Sequence, residues 1–218
     1  MSGNNIFLTH RRLKQTFLAA IFVAILALSW PYPVLGLFIP VCMLLGIFIG
    51  FKNGRKWCDW YCPRGSFWDA FILKISPQKP IPQVFKKIVF RVLVMALLMS
   101  ALVFNIYRVY PDLTKIARVF VFMLSATTLL GVVLALFIHQ RSFCYLCPVG
   151  TMIHLTSYAR NYLKIDPQLC VECKLCAKAC PVGIKPYLFK SAGQIKDRDC
   201  LNCLCCKSVC PKKAIDKV

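Results

Sequence analysis

The sequence predicts an α-helical membrane protein with a small α+β domain at its C-terminus. Of its 218 residues, 58% are hydrophobic and only 17% are charged, whereas soluble domains average about 45–50% and about 25%. The stretch from residue 166 onward is different, because it is polar and rich in Lys and Cys. The chain is therefore predicted to consist of a membrane unit, residues 1–165, and a small soluble unit, residues 166–218.

Four apolar runs carry the membrane prediction, at residues 13–30, 34–51, 88–107 and 119–138. At about 1.5 Å per residue, each run spans roughly 27–30 Å, the thickness of a bilayer core. Pro31, Tyr32 and Pro33 alone separate the first two runs, and residues 108–118 join the last two. The prediction is thus four transmembrane helices arranged in two hairpins.

Basic residues give the chain a formal net charge of +20. They concentrate before the first run, between the second and third, and after the fourth, whereas the opposite turns hold Arg108, Lys115 and Arg118. The positive-inside rule then places both termini and the soluble unit in the cytoplasm, with the chain in a bacterial inner (cytoplasmic) membrane. We expect these basic residues to contact membrane lipid. We expect no nucleic acid as a partner, because the sequence contains no nucleic-acid-binding motif.

The soluble unit contains one cysteine run twice, Cys-x2-Cys-x2-Cys-x3-Cys-Pro, beginning at Cys170 and at Cys200. In bacterial ferredoxins with this spacing, the first three thiolates bind one [4Fe-4S] cluster and the fourth binds the other. The predicted fold is a two-cluster ferredoxin-like domain. One cluster is assigned to Cys170, Cys173, Cys176 and Cys210, and the other to Cys180, Cys200, Cys203 and Cys206.

Two neighbouring clusters form an electron relay, although bound metal also helps so small a domain to fold. Cys205 falls outside the repeated spacing. It is interpreted as a small packing residue, and Cys42, in the middle of the second run, is interpreted in the same way.

A second cysteine pattern follows each predicted hairpin. Cys58-x3-Cys62 and Cys144-x2-Cys147 are both followed by Pro-x-Gly-Ser/Thr and then by an apolar stretch, residues 67–75 and 152–163. The repeated unit of hairpin, cysteine pair and surface helix predicts a pseudo-twofold arrangement. Cys58, Cys62, Cys144 and Cys147 are expected to meet at the cytoplasmic face and to hold a third Fe–S cluster, zinc or copper. The alternatives are two separate redox-active or disulfide-bonded pairs, or reduced structural thiols.

The segment Arg-Lys-Trp-Cys58-Asp-Trp-Tyr-Cys62-Pro-Arg-Gly-Ser resembles the C-x-W-x-C-P-x-G signature of NapH-type membrane ferredoxins. This resemblance covers nearly the whole chain, and it implies electron passage between a membrane quinone pool and partner redox proteins. The second motif departs from the family pattern, C-x3-C-P, because Cys144 and Cys147 are one residue closer. No residue identifies a quinone site, and Trp57, Trp60, Phe67 and Trp68 are interpreted as interfacial anchors.

The sequence therefore predicts an electron-transfer subunit that links a quinone pool or partner dehydrogenase to another redox protein. Two alternatives are a metal-handling assembly factor, such as a membrane copper reductase, and a redox sensor. No nucleotide-binding, flavin or hydrolytic motif is present in the sequence. A redox subunit of a membrane complex is accordingly favoured over a stand-alone enzyme.

Overall fold

The computed structural model describes residues 2–157 and 163–217. Within its first part, most residues are helical. The helices are α1 (Ser2–Leu28), α2 (Phe38–Asn53), α3 (Lys56–Trp60), α4 (Pro63–Phe67), α5 (Gln83–Lys86), α6 (Ile88–Val109), α7 (Leu113–Phe137), α8 (Phe143–Leu146) and α9 (Pro148–Thr156). A 3₁₀ turn, Pro33–Leu37, leads into α2, and a π-helical turn, Trp68–Ile72, continues α4.

Three helical segments of the described chain are long and apolar enough to cross a membrane. They are Pro33–Asn53, Ile88–Val109 and Leu113–Phe137. Their outward surfaces carry large exposed apolar side chains such as Phe48, Val89 and Leu129, which a bilayer would cover. The protein is therefore a membrane protein, and three of the four predicted runs correspond to candidate spans.

The first predicted run lies in α1, which is not among these three segments. Arg11, Arg12 and Lys14 lie near the middle of α1, and the uncharged apolar part that follows them is residues 15–28. At about 1.5 Å per residue this part reaches about 21 Å, short of a bilayer core. A fourth span therefore stays a prediction.

The soluble unit is built around a two-stranded antiparallel sheet. Strand β1 (Leu163–Ile165) pairs with β2 (Ile215–Lys217), with Ile165 opposite Ile215. Two short helices, α10 (Leu175–Lys178) and α11 (Cys205–Ser208), and a 3₁₀ turn, Pro186–Phe189, complete it. Because β1 is part of this sheet, the unit includes Leu163, three residues before its predicted start.

The apolar stretches after the cysteine pairs are partly helical, through the turn Trp68–Ile72 in the first and the end of α9 in the second, and each combines buried residues with exposed ones such as Phe71 and Leu155. Trp68 and Ile153, one in each stretch, are 1% and 0% exposed, and residues 158–162 of the second stretch lie outside the described part. Trp57 and Trp68 are likewise buried in the protein, and the prediction that they are interfacial anchors is wrong. Trp57 instead packs against Gly46 of α2, and Trp68 packs against Gly131 of α7.

Candidate metal centres

The first three cysteines of the first run meet the last cysteine of the second run around one small cavity. Cys170, Cys173, Cys176 and Cys210 all line it. Its other walls are mainly apolar and include Ile165, Tyr187 and Ile215, although Glu172 and Lys212 reach its rim. This set of four matches the first predicted cluster site.

A second small cavity is lined by the other four cysteines, Cys180, Cys200, Cys203 and Cys206. Its remaining walls are apolar and include Leu163, Ile195 and Leu201, each of which is 1–2% exposed. The fourth cysteine of each run therefore faces the cavity of the other run. That exchange is the ligand pattern of two-cluster ferredoxins.

The backbone of both runs is shaped for a negatively charged group. Glu172 and Lys174 have positive φ angles of 55° and 63°, and Asn202 and Leu204, at the equivalent positions, have 51° and 62°. Alternating right- and left-handed residues turn successive N–H groups into a concave surface, a nest, which recurs at Fe–S sites. The residues present thus fit [4Fe-4S] clusters in both ligand set and backbone. A bound cluster would take up and release single electrons there.

The four cysteines of the membrane motifs lie around a third cavity, of about 190 Å³. Cys58, Cys62, Cys144 and Cys147 all line it, together with Cys42 of α2. The rest of the wall is mainly apolar and comes from α1, α2, α6 and α7. The two motifs, 82 or more residues apart in sequence, are thus brought together, and Cys42, interpreted as a packing residue, shares their cavity.

Two arginines connect the motifs in a reciprocal way. Arg55, three residues before Cys58, donates from Nη2 to the carbonyl oxygen of Cys144, at 2.6 Å. Arg141, three residues before Cys144, donates from Nη1 to the carbonyl oxygen of Cys58, at 3.0 Å. Each arginine therefore holds the backbone of the other repeat, which is a pseudo-twofold relation.

Buried carboxylates neutralise both arginines. Arg141 pairs with Asp69 at 2.7 Å and with Asp59 at 3.4 Å, and Arg11 of α1 pairs with the same two acids. Arg55 pairs with Asp199 of the soluble unit at 2.7 Å. Burying a charge is costly unless it is paired and hydrogen-bonded. These partners therefore allow the arginines to reach the cysteine motifs.

Arg64 is different, because it forms no salt bridge within the described residues. Its Nη2 donates to the carbonyl oxygen of Thr127 at 2.6 Å, and its guanidinium lies 4.2 Å from the ring centre of Phe143. Its Nε is buried without a hydrogen-bond partner. Since an arginine stays charged in proteins, the wall of the cysteine cavity carries a positive charge that no carboxylate offsets. Four thiolates with a bound metal centre would supply the missing negative charge.

The protein alone does not favour thiolates at this cavity. Burial raises the pKa of Cys58 to about 11 and also raises the pKa of Cys62. Free thiols in such a place are poor nucleophiles, and a metal would deprotonate them on binding.

The soluble unit contacts the membrane unit close to the second ferredoxin cavity. Asp199, adjacent to Cys200, pairs with Arg91 of α6 at 2.6 Å and also contacts His154 of α9 at 2.9 Å. Tyr145, adjacent to Cys144, donates from its hydroxyl to the carbonyl oxygen of Val182 at 2.8 Å. The second ferredoxin cavity therefore neighbours the membrane cysteines.

Cys205 lines neither ferredoxin cavity. Its Sγ lies 4.0 Å from the carbonyl oxygen of Cys203, and α11, which begins at Cys205, packs against α1.

Sequence reasoning missed the arginines, which were counted only as charges that flank the spans. The sequence did contain a pattern that could have indicated them. An arginine lies three residues before the first cysteine of each membrane pair, at Arg55 and at Arg141. The sequence does not reveal Arg91 in the same way, because its partner Asp199 lies 108 residues away.

Comparison with known proteins agrees with this arrangement. A family model described as a 4Fe-4S dicluster domain matches residues 162–211. A second, described as a 4Fe-4S binding domain, matches twice, over residues 35–82 and 120–165, so each match contains one membrane cysteine pair. The uncharacterized protein MJ0749 of Methanocaldococcus jannaschii is 30% identical in an alignment of 190 residues that covers 80% of this chain and 69% of that protein.

The chain belongs to the same family as MJ0749. A further relative from the same organism, the uncharacterized protein MJ0750, is 26% identical over 74% of this chain and 71% of its own length. YccM of Escherichia coli, provisionally named an electron transport protein, is 30% identical over 41% of this chain and 24% of its own length. No solved structure gives a significant match. The ferredoxin domains and the relationship to YccM indicate a membrane-associated iron–sulfur protein of electron transport that works with redox partners.

Proposed function

We propose that the chain is a NapH-type electron-transfer subunit that holds three iron–sulfur centres in series. The ferredoxin cysteines hold two [4Fe-4S] clusters, assigned as the two cavities suggest, and the four membrane cysteines hold a third cluster. The observation that carries the proposal is a pair of bridges between the second ferredoxin cavity and the membrane cavity. One bridge is the hydrogen bond of Tyr145, and the other consists of the bonds of Arg55.

These bridges support one order for the proposed relay. One path runs from Cys180 through the carbonyl of Val182 to the hydroxyl of Tyr145 and so to Cys144. The other runs from Cys200 through Asp199 and Arg55 to the carbonyl of Cys144. The first ferredoxin site is the outer one, because Cys173 is exposed to solvent. Electrons are therefore exchanged with a soluble partner at the first site and reach the membrane through the second.

One observation supports a metal centre at the membrane cysteines over a disulfide or free thiols. Two disulfides would leave Arg64 without a neighbouring negative charge, whereas four thiolates with a bound centre would supply that charge.

The apolar wall of the membrane cavity fits a lipid-soluble redox partner such as a quinone. Phe22, Phe38, Leu102 and Phe120 line the cavity, and ligand pockets are generally apolar with few polar groups. The proposed topology has four spans, α1 included, with both termini in the cytoplasm of a bacterial inner membrane. A C-terminal fluorescent reporter that matures only in the cytoplasm should be bright, whereas a phosphatase active only outside should be silent.

One observation favours a second candidate function, the handling of a soft metal. Met43, Met99 and Met123 line the same cavity as the five cysteines, and thioether and thiolate ligands select Cu(I). Metal analysis separates the two candidates, because the relay needs iron in the membrane unit and copper handling needs copper there.

Iron analysis with EPR of the anaerobically purified, reduced protein tests the relay. Three cubanes give about twelve iron atoms per chain. Cys147→Ser should remove about four and abolish one EPR signal while both ferredoxin signals stay. Cys205→Ser is the matched control and should change neither quantity. An unchanged iron content in Cys147→Ser would refute the third centre, and fewer than about eight irons in the native protein would refute the ferredoxin assignment.

A further inference from the structure

Exposed apolar side chains of the soluble unit gather at the first ferredoxin site. Among the described residues of this unit, four large apolar side chains are 42–64% exposed, namely Leu169, Val171, Leu175 and Leu188. Leu169 and Val171 line the first ferredoxin cavity, and Leu188 follows Tyr187, which lines it too. Leu175 lies between Cys173 and Cys176, two cysteines of the same cavity. Single exposed leucines are ordinary on a protein surface, whereas apolar side chains grouped at one site indicate a surface that binds another molecule.

The second cysteine run has an equivalent surface, which the membrane unit covers. Each position of one run has an equivalent thirty residues away in the other, so that Leu169 corresponds to Asp199 and Lys212 to Val182. Asp199 and Val182 both bond to the membrane unit, and helix α11, the equivalent of α10, packs against α1. The membrane unit therefore covers one of two equivalent faces, whereas the other, around Leu169, remains exposed.

Lysines surround the exposed apolar side chains. Four of them are exposed and form no salt bridge within the described part of the chain, namely Lys174, Lys178, Lys212 and Lys213. Among the described residues that line the first cavity, Glu172 is the one carboxylate, and Lys190 neutralises it through a 3.2 Å salt bridge. The four apolar side chains and the four lysines together form what we call the outer face. An apolar centre with a charged rim is typical of protein interfaces, and a positive rim favours a partner of negative charge.

We infer that the outer face docks an acidic one-electron carrier protein, whose own redox centre is bounded by Asp and Glu side chains. This inference rests on the proposed exchange of electrons with a soluble partner at the first site, and it adds the chemistry of that partner. In the docked pair one electron passes between the carrier and the first ferredoxin cluster, so that one centre is oxidised by one electron and the other is reduced by one. No bond is made or broken at the cluster. A lipid surface fits the outer face less well, because the soluble unit meets the membrane unit with the face of the second run.

Stopped-flow kinetics with two carriers of opposite charge test the inference. The full chain is held in nanodiscs of neutral phosphatidylcholine. The oxidised chain is mixed with reduced flavodoxin, an acidic carrier, and the dithionite-reduced chain is mixed with oxidised cytochrome c, a basic carrier. The double variant Lys174→Glu/Lys212→Glu should slow the reaction with flavodoxin about tenfold or more at low ionic strength, because steering changes association rates by about 10–10³. The same variant should speed the reaction with cytochrome c.

Salt and a matched variant provide the controls. Both effects should vanish near 1 M salt, where the Debye length falls to about 3 Å. Lys164→Glu/Lys196→Glu makes the same change of charge at exposed lysines that line neither ferredoxin cavity, and it should change both rates far less. Leu188→Ser removes an exposed side chain that also lines neither cavity. It should slow the reaction with flavodoxin at high salt as well as at low salt, with about eight ferredoxin irons per chain retained.

The outcomes separate the docking inference from the relay. Equal rate constants for Lys174→Glu/Lys212→Glu and its control would overturn the docking inference and leave the relay intact. The same conclusion follows if the effect requires anionic phosphatidylglycerol in the nanodisc, which would assign the outer face to lipid. It also follows if Leu188→Ser converts a native dimer into a monomer, which would assign the face to a second copy of the chain. Native protein without reducible ferredoxin clusters would overturn both the docking inference and the relay.

Discussion

Arg141 donates a 3.0 Å hydrogen bond to the carbonyl oxygen of Cys58, in the motif of the other repeat. Arg55 makes the reciprocal bond to the carbonyl oxygen of Cys144. A guanidinium has five donors in a fixed fork, so one side chain can bind a carbonyl and a carboxylate together. The two arginines thereby fix the distance between the cysteine pairs before any metal is bound.

Arg141→Lys should therefore loosen the membrane centre while the charge is kept. An ammonium cannot reproduce the bonds of Arg141 to Asp69 and to the Cys58 carbonyl at the same time. We expect loss of most of the membrane-centre iron, about four atoms per chain, with ferredoxin iron unchanged. Arg12→Lys, on the exposed side of α1, is the control. Full iron content in Arg141→Lys would show that the reciprocal bonds do not organise the site.

Arg64→Gln should lower the reduction potential of the membrane centre. The unpaired guanidinium stabilises added negative charge, and a unit charge at about 10 Å with an effective dielectric of about 20 is worth about 1.7 kcal/mol. This corresponds to a decrease of about 70 mV. Redox titration followed by EPR measures it, with Arg118→Gln, an exposed arginine of α7, as the control. A potential that stays the same or rises would contradict the role given to Arg64.

Tyr145→Phe should slow electron exchange between the ferredoxin and membrane units without changing their iron content. The substitution removes only the hydroxyl that bonds to the Val182 carbonyl, a bond worth about 1 kcal/mol to stability. Freeze-quench EPR after rapid reduction should show several-fold slower appearance of the membrane-centre signal. Tyr187→Phe, a tyrosine that lines the first ferredoxin cavity, is the matched control. Equal rates in the two variants would remove Tyr145 from the path.

The features that could be predicted from the sequence are local ones. The cysteine spacing alone assigned each ferredoxin cysteine to the cavity that it lines, because three ligands of each set lie within seven residues. Apolar runs likewise located the ends of the three candidate spans to within six residues. Composition is a property of the segment itself, and so it can be read without knowing what the segment contacts.

The arrangement of the two cysteine pairs around one cavity could not be predicted in this way, because it depends on contacts between distant segments. Arg55 and Arg141 each bind the backbone of the other motif, and these bonds join residues 89 and 83 positions apart. That the four cysteines lie at the cytoplasmic face stays a prediction. The role of Arg91 could not be predicted for the same reason. This charged residue lies near the start of a candidate span, and only its salt bridge with Asp199, which is distant in sequence, explains its position.

Asp199→Asn should release the ferredoxin unit from the membrane unit. It would leave Arg55 and Arg91 buried without their carboxylate, and breaking a buried pair in this way costs about 3–5 kcal/mol. We expect faster hydrogen exchange at the contact around Asp199, with ferredoxin iron retained. Glu172→Gln removes the same charge from an exposed pair with Lys190 and should change exchange little. Equal protection in both variants would show that the buried pairs do not hold the units together.

The same contact should resist acid down to about pH 4. Burial alone would raise the pKa of Asp199, but its hydrogen bond with His154 and the charges of Arg55 and Arg91 hold that pKa well below its usual range. A carboxyl whose pKa is depressed on folding contributes stability above its unfolded pKa, about 3.9, and that stability is lost as the pH falls further. Hydrogen exchange at the contact, corrected for the intrinsic pH dependence, should therefore show constant protection from pH 8 to pH 5. In Asp199→Asn, protection should be low throughout this range. A native protein that loses protection between pH 7 and pH 5 would assign the contact to a group other than Asp199.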